Sequence, residues 1–248
     1  MSEAFIVDYV AEVVRQIAPP PPVRHLDMGT GPGDMIRRLR RHIPGIDSHG
    51  VDYHPSHFSV DGVPIAHADL SFGRIPHPDA SFDLVTCTEV FEHLENYHHA
   101  VREAARVLKP SGVFVVSTPN VLSMKSRCAY FTRGFMTYFD PLRLKEDPAT
   151  YPEQRHITPV PFFYLAHALL DSGFENVQAR SDKAQKSSAV LAAALYPVFG
   201  LFVAWARRSR TRRLGPHPEA IEQLARQNDS WPVLTGRTLI VTARRRAA

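Results

Sequence analysis

Five short apolar runs, at residues 23–28, 48–51, 63–67, 82–86 and 113–117, are separated by stretches that carry helical patterns. This alternation predicts a largely parallel sheet covered by helices, because each crossover between parallel strands needs a connection of helical size. Ala100, Val101, Ala104, Ala105 and Leu108 form one such helix face, and the tetrad KPSG at 109–112 stops it with proline and glycine. A chain of 248 residues, 44% hydrophobic and 22% charged, suits one core with sizeable insertions. Residues 1–22 read as an amphipathic helix (Ile6, Val10, Val13, Val14, Ile17) followed by a proline linker, and 23–120 read as the core. Residues 121–160 mix basic side chains with Tyr130, Phe131, Phe135, Tyr138 and Phe139, as a lid over the core would. A helix near 161–170 and a strand near 176–179 return to the core within 161–180. An apolar and basic insertion fills 181–236, and 237–248 holds a last strand near 238–242 and a basic tail.

Cys87 and Cys128 lie far apart without CxxC spacing, which points away from a disulfide framework and toward a reducing, cytoplasmic setting. Glu3, Asp8 and Glu12 interrupt the first apolar residues, so the N-terminal stretch does not read as a secretory signal. The net charge of +4 is unevenly spread: Arg207, Arg208, Arg210, Arg212 and Arg213 cluster, and Arg244, Arg245 and Arg246 lie near the end. Such clusters suit phosphate, whether of nucleic acid or of lipid headgroups.

The first strand leads into HLDMGTGPGDM, so Gly29, Thr30, Gly31, Pro32 and Gly33 form a loop at its carboxyl end. Ligands of open α/β sheets bind at that edge, and glycines let backbone approach them closely. A dinucleotide is one reading, but the spacing is Gly-x-Gly-x-Gly rather than Gly-x-Gly-x-x-Gly. Asp27 would repel a pyrophosphate and suit a cation, and Pro32 removes one N–H from a phosphate cradle. A ligand with a positive centre and an amino-acid tail, S-adenosylmethionine, fits better.

This stretch resembles the first motif of class I S-adenosylmethionine-dependent methyltransferases, and the likeness continues through VREAARVLKPSGVFVVSTPN. The resemblance implies a Rossmann-like fold with a mainly parallel seven-stranded sheet and helices on both faces. It places Asp27, Gly29, Thr30, Gly31 and Gly33 around the cofactor's tail, with Asp52 and the adjoining Tyr53 at its ribose. A carboxylate can accept two hydroxyl hydrogen bonds at once, which suits Asp52 to that role. The same resemblance implies that Asp69 meets the adenine amino group, Leu70 offers backbone contacts, and Thr88 and Glu89 flank the methionine part.

His93, in EVFEHLEN, resembles a histidine of the ubiquinone-biosynthesis O-methyltransferase branch; it is a candidate general base for a hydroxyl acceptor, with a structural role as the alternative. His156, in RHITP, falls where the family builds its acceptor pocket and is the second candidate base. No His, Asp and Glu cluster has ligand spacing along the chain, so no metal site is expected, although some quinone-type relatives use a divalent ion. STPN at 117–120 lacks the (Asn/Asp)-Pro-Pro-(Tyr/Phe) tetrad of amino-methylating nucleic-acid enzymes, which argues against a nucleic-acid base as acceptor.

Residues 189–206 run uncharged for about 27 Å of helix, and the arginine cluster follows. If the last strand rejoins the sheet, a single membrane crossing is implausible. Pro197 and Gly200 then suggest a broken helical hairpin that lies on anionic headgroups through 189–213, or else a buried helix pair. These readings converge on an O-directed methyltransferase acting on a small or lipid-linked acceptor, cytoplasmic and peripheral at the inner membrane face. The alternatives are an RNA-modifying protein that uses the arginines and a cofactor-binding protein without turnover.

Overall fold

The computed structural model describes residues 2–139, 156–210 and 218–247. Seven strands form one sheet: β1 (Arg24–Met28), β2 (Asp47–Asp52), β3 (Ile65–His67), β4 (Phe82–Thr88), β5 (Leu108–Pro119), β6 (Phe174–Ser181) and β7 (Thr238–Arg245). Their order is β3-β2-β1-β4-β5-β7-β6, parallel from β3 through β5 and antiparallel where β7 joins β5 and β6. The order reverses between β1 and β4, and a crevice opens at the carboxyl ends of strands at such a point. The Rossmann-like expectation is met.

All five expected core strands form, several of them longer than their apolar runs. β5 begins at Leu108, so KPSG ends the preceding helix but belongs to the strand, where pairing with β4 is irregular and Ser111 has φ 63°. β7 extends to Arg245, so part of the expected basic tail is strand: exposed Arg244 donates to the Ser111 carbonyl, and half-buried Arg245 to the Leu108 carbonyl. Hydrogen bonds to backbone therefore occupy two arginines expected to meet phosphate.

Helix α1 (Ser2–Ile17) stops before Pro19 and buries Ile6, Val10, Val13 and Val14 against α2 (Asp34–His42) and the sheet. Arg38 of α2 also pairs with Asp8 of α1. On the other face α3 (Tyr97–Val107) and α5 (Phe162–Asp171) bury Ala100, Val101, Ala104, Phe162 and Leu165 in the main core. Apolar burial at about 25 cal/mol per Å² drives both contacts.

Within the expected lid, α4 (Met124–Arg133) is described, and 140–155 lie outside the described residues. Residues 189–206 do not form a broken hairpin: α6 (Lys186–Arg210) is one helix that runs through Pro197 and Gly200. Proline's missing N–H and its ring clash disturb one turn, and the helix continues beyond it. Among the described residues no helix is long and apolar enough to cross a membrane. Arg207, Arg208 and Arg210 end α6, whereas Arg212 and Arg213 lie outside the described residues. Helices α7 (Pro218–Asn228) and α8 (Trp231–Thr235) lead back to β7.

Candidate functional site

The loop after β1 is held from below. Gly29 N–H donates to the Val51 carbonyl at 2.8 Å, and the Thr30 hydroxyl reaches the same oxygen at 3.3 Å. Thr30 is thus turned into the protein by its side chain. Gly33, at φ 92°, starts α2, and a Cβ there would lie 2.4 Å from Val60 Cγ2. Gly31 differs: its φ is 50°, and a Cβ would meet nothing within 4 Å. Its bare face looks onto open space, as expected of a backbone cradle.

That space is a cavity of about 330 Å³ bordered by Asp27, Gly29, Thr30, Gly31, Thr88, Glu89, Glu92, His93 and His156. Its size falls in the roughly 300–1,000 Å³ range of small-molecule sites. The cavity therefore gathers six of the residues assigned to the cofactor's tail and methionine part, Asp27, Gly29, Thr30, Gly31, Thr88 and Glu89, together with both candidate bases. Ile6 and Val7 of α1, Tyr138 beyond α4, and Arg237 and Thr238 at β7 also line it. Tyr138 belongs to the expected lid, whereas sequence reasoning gave Ile6, Val7, Arg237 and Thr238 no place at the site, because only folding carries them there.

The residues expected at the nucleoside sit differently. Asp52 ends β2 outside the lining of this cavity, and its carboxylate accepts Gly31 N–H and His54 N–H, each at 2.8 Å. A carboxylate offers about four lone-pair sites, so two remain for a pair of hydroxyls. Asp69 lies beyond β3 and accepts Ser71 N–H at 2.8 Å. Tyr53 is exposed, and the Leu70 side chain is in the core, which leaves its backbone for any contact. None of these four residues lines the hollow, and of them Asp52 is bonded to the glycine loop.

Asp27 is buried, and burial pushes its carboxyl up to about 7, against the hydrogen bond from Thr86 and with a further push from Asp52. Thr86 donates to Asp27 Oδ1 at 2.5 Å and lies 2.8 Å from His25 Nε2, whose Nδ1 is 3.2 Å from the Ser48 hydroxyl. Because the Thr86 proton points to Asp27, its oxygen accepts from His25 Nε2–H. Burial lowers His25 to about 3, so the ring is neutral and holds one tautomer.

At the far end of β4, Glu89 adopts φ 54°, and its Oε1 accepts from Ser117 at 2.8 Å. A non-glycine residue held there costs of order 1–3 kcal/mol and is overdetermined by its surroundings. Glu92 is fully buried on the next turn. Thr118 donates to its Oε2 at 3.1 Å, while Oε1 has no hydrogen-bond partner among the described residues. Burial first, then the charge of Glu89, raises the Glu92 carboxyl well above its ordinary range.

The Glu92 backbone carbonyl accepts N–H from both Ile157 and Thr158, at 2.8 and 3.0 Å. This clasp brings His156 against His93, with ring centroids 5.0 Å apart and planes at 76°. His156 Nδ1 is 2.8 Å from the Tyr138 carbonyl and donates to it, which leaves the ring's lone pair on Nε2. Burial lowers its pKa and favours the neutral ring. Glu92, His93 and His156 each offer a ligand atom, all within 4.8 Å of one another. The sequence reading expected no such cluster: Glu92 and His93 are neighbours in the chain, and the backbone clasp brings the distant His156 to them.

A family model described as a methyltransferase domain matches residues 3–179. A probable S-adenosylmethionine-dependent methyltransferase of Mycolicibacterium smegmatis is 35% identical over 124 residues, 49% of this chain and 45% of that protein. The ubiquinone biosynthesis O-methyltransferase of Maricaulis maris is 31% identical over 104 residues, 40% of this chain and 41% of that protein. The chain spans under half the length of these relatives. In fold, it is similar to an S-adenosylmethionine-dependent methyltransferase from Archaeoglobus fulgidus, with TM-score 0.57 and 19% identity over 96% of this chain and 94% of that one.

Proposed function

Because the chain belongs to the class I S-adenosylmethionine-dependent methyltransferases, we propose that it transfers the methyl group to a hydroxyl of a small, quinone-type acceptor. The observation that carries this reading is the hollow in which Asp27 and Gly31, on the side assigned to the cation, meet His93 and His156, the latter kept toward its neutral ring by burial. The bare Gly31 face, the buried Asp27 and the spare lone pairs of Asp52 all fit the cofactor's chemistry.

When bound, the cofactor supplies a methyl carbon on a positively charged sulfur. Asp27 holds the positive end, Asp52 accepts from the ribose hydroxyls, and the loop backbone packs close because Gly31 has no Cβ. His93 and His156 face the acceptor hydroxyl. His156 is suited to take its proton on Nε2, since the Tyr138 carbonyl already holds Nδ1–H. Alignment of the acceptor oxygen with the methyl carbon supplies much of the rate.

The name of the Maricaulis relative supports a hydroxyl of a quinone precursor as the acceptor. A lipid-linked acceptor at a membrane face is supported by the uncharged run of α6, on which Val190 and Leu201 are exposed. The start of α6 adjoins the site, because Gln185 donates to the Tyr138 hydroxyl at 2.9 Å.

The test is transfer of isotope-labelled methyl groups to a panel of catechols and hydroxyquinols, with amines as controls. Label on oxygen, lost in Asp52→Ala with about a hundredfold weaker cofactor binding, is expected; the bonds removed are worth roughly 1.5–3 kcal/mol. Label confined to amines would overturn the O-directed reading.

A further inference from the structure

We propose that Arg237 sets acceptor specificity: it selects acceptors that carry a carboxylate on the same ring as the hydroxyl to be methylated. The proposal rests on the O-methylation reading. Among the described residues Arg237 is the one arginine or lysine that borders the cavity, where Asp27, Glu89 and Glu92 already supply acids. Its guanidinium lies over the Tyr138 ring, 5.8 Å from the centroid, and pairs with no carboxylate among the described residues. A half-buried guanidinium has five donors to satisfy, and its planar fork fits a carboxylate that enters from outside.

Strand order separates this charge from the cofactor's tail. Arg237 directly precedes β7 and the glycine loop directly follows β1, so three strand spacings of about 4.8 Å put them about 14 Å apart across the sheet. The cofactor's own carboxylate belongs to the tail assigned to the glycine loop and stays at that end. The backbone that carries Arg237 is fixed on both sides. Its N–H donates to the Lys183 carbonyl at 3.3 Å, its carbonyl accepts from Asn120 N–H at 3.0 Å, and Thr238 N–H donates to Asp182 at 2.9 Å.

Tyr138 joins this cation to a candidate base. Its carbonyl accepts from His156 Nδ1–H, its ring faces Arg237, and its hydroxyl accepts from Gln185 at 2.9 Å. It is held at φ 74°, left-handed backbone that a tyrosine adopts only where its surroundings enforce it. An aromatic acceptor lying along Tyr138 presents its hydroxyl to His156 and its carboxylate to Arg237. One guanidinium balances the single charge of a carboxylate. No second arginine or lysine among the described lining residues awaits the nearly two charges of a phosphate.

The experiment compares a dihydroxybenzoate with its neutral benzamide, both as methyl acceptors and as calorimetric ligands of the full chain loaded with S-adenosylhomocysteine. Wild type should favour the carboxylate at least tenfold in kcat/KM and in affinity. Arg237→Gln should lose that preference through KM, with S-adenosylmethionine affinity unchanged. Arg237→Lys keeps the charge without the fork and should retain part of the preference. Melting curves establish folding of both variants, and the wild-type comparison decides if neither folds. A preference that survives in folded Arg237→Gln, or a tenfold loss of cofactor affinity there, would overturn the assignment. Equal methylation of both compounds by wild type would also overturn it and leave the O-methylation reading standing. Carboxylate binding that depends on Arg237, without methyl transfer to oxygen, would sink the O-methylation reading and leave the anion site in place.

Discussion

Alanine at Gly31 and at Gly33 should fail for opposite reasons. Both residues occupy left-handed backbone, at φ 50° and 92°, so each substitution costs about 1–2 kcal/mol in conformational strain. At Gly33 the new Cβ would also lie 2.4 Å from Val60 Cγ2 and 2.8 Å from Phe58 Cε2. Relief of that overlap adds about 1–3 kcal/mol. At Gly31 the Cβ meets nothing, and the N–H to Asp52 survives, so the strain term stands alone. For a chain of this size 1 kcal/mol moves the melting temperature by about 2–4 °C. Gly31→Ala should therefore lower it by about 2–8 °C and Gly33→Ala by about 4–20 °C. Affinity should rank the other way: Gly31→Ala places a methyl group in the space assigned to the cofactor and should lose at least tenfold in S-adenosylmethionine binding. Differential scanning fluorimetry and titration calorimetry on the same preparations read both quantities. Wild-type cofactor affinity in Gly31→Ala would refute the cradle assignment, and equal melting points in the two variants would refute the packing account of Gly33.

Cofactor binding should also be coupled to protons at Asp27. Its carboxyl is raised to about 7 in the folded chain, and a cation beside it favours the ionised form, so binding releases a proton below that pH. Affinity should climb by up to about tenfold per pH unit between pH 5 and 7 and then level off, as calorimetry in buffers of different ionisation enthalpy would report. An affinity independent of pH would remove Asp27 from the site. The same group acts on stability: between its unfolded value and about 7 the folded chain holds the extra proton, so this contribution falls as pH rises through that window. His25 has the opposite slope, because its folded value near 3 lies below the unfolded 6.5, and its contribution is lost as pH falls through that range. Asn120→Ala should destabilise by about 2–4 kcal/mol, because the buried amide donates to the Val233 and Gly236 carbonyls and accepts from Leu122 N–H. Thermal melts check this, and a shift under 2 °C would contradict the estimate.

Asn120 also shows where sequence reasoning stopped. STPN carried information by lacking a known tetrad, but nothing local revealed that its asparagine ties α8 to β5. The apolar run at 189–206 likewise identified an uncharged helix, while its continuity through Pro197 was a matter for the whole α6 helix. Arg244 and Arg245 read as a tail because charge counts do not show which carbonyls lie across the sheet.

Periodicity and the glycine loop determined the alternating architecture, the edge at which a ligand binds, and the acids around it, because those signals arise between residues close along the chain. The wall and floor of the hollow came from tertiary structure alone. Val7 reaches it because α1 packs on α2, and Glu92 meets His156 because two backbone N–H groups bind one carbonyl. Contacts between residues so far apart depend on the packing of the whole sheet, and no local pattern encodes them.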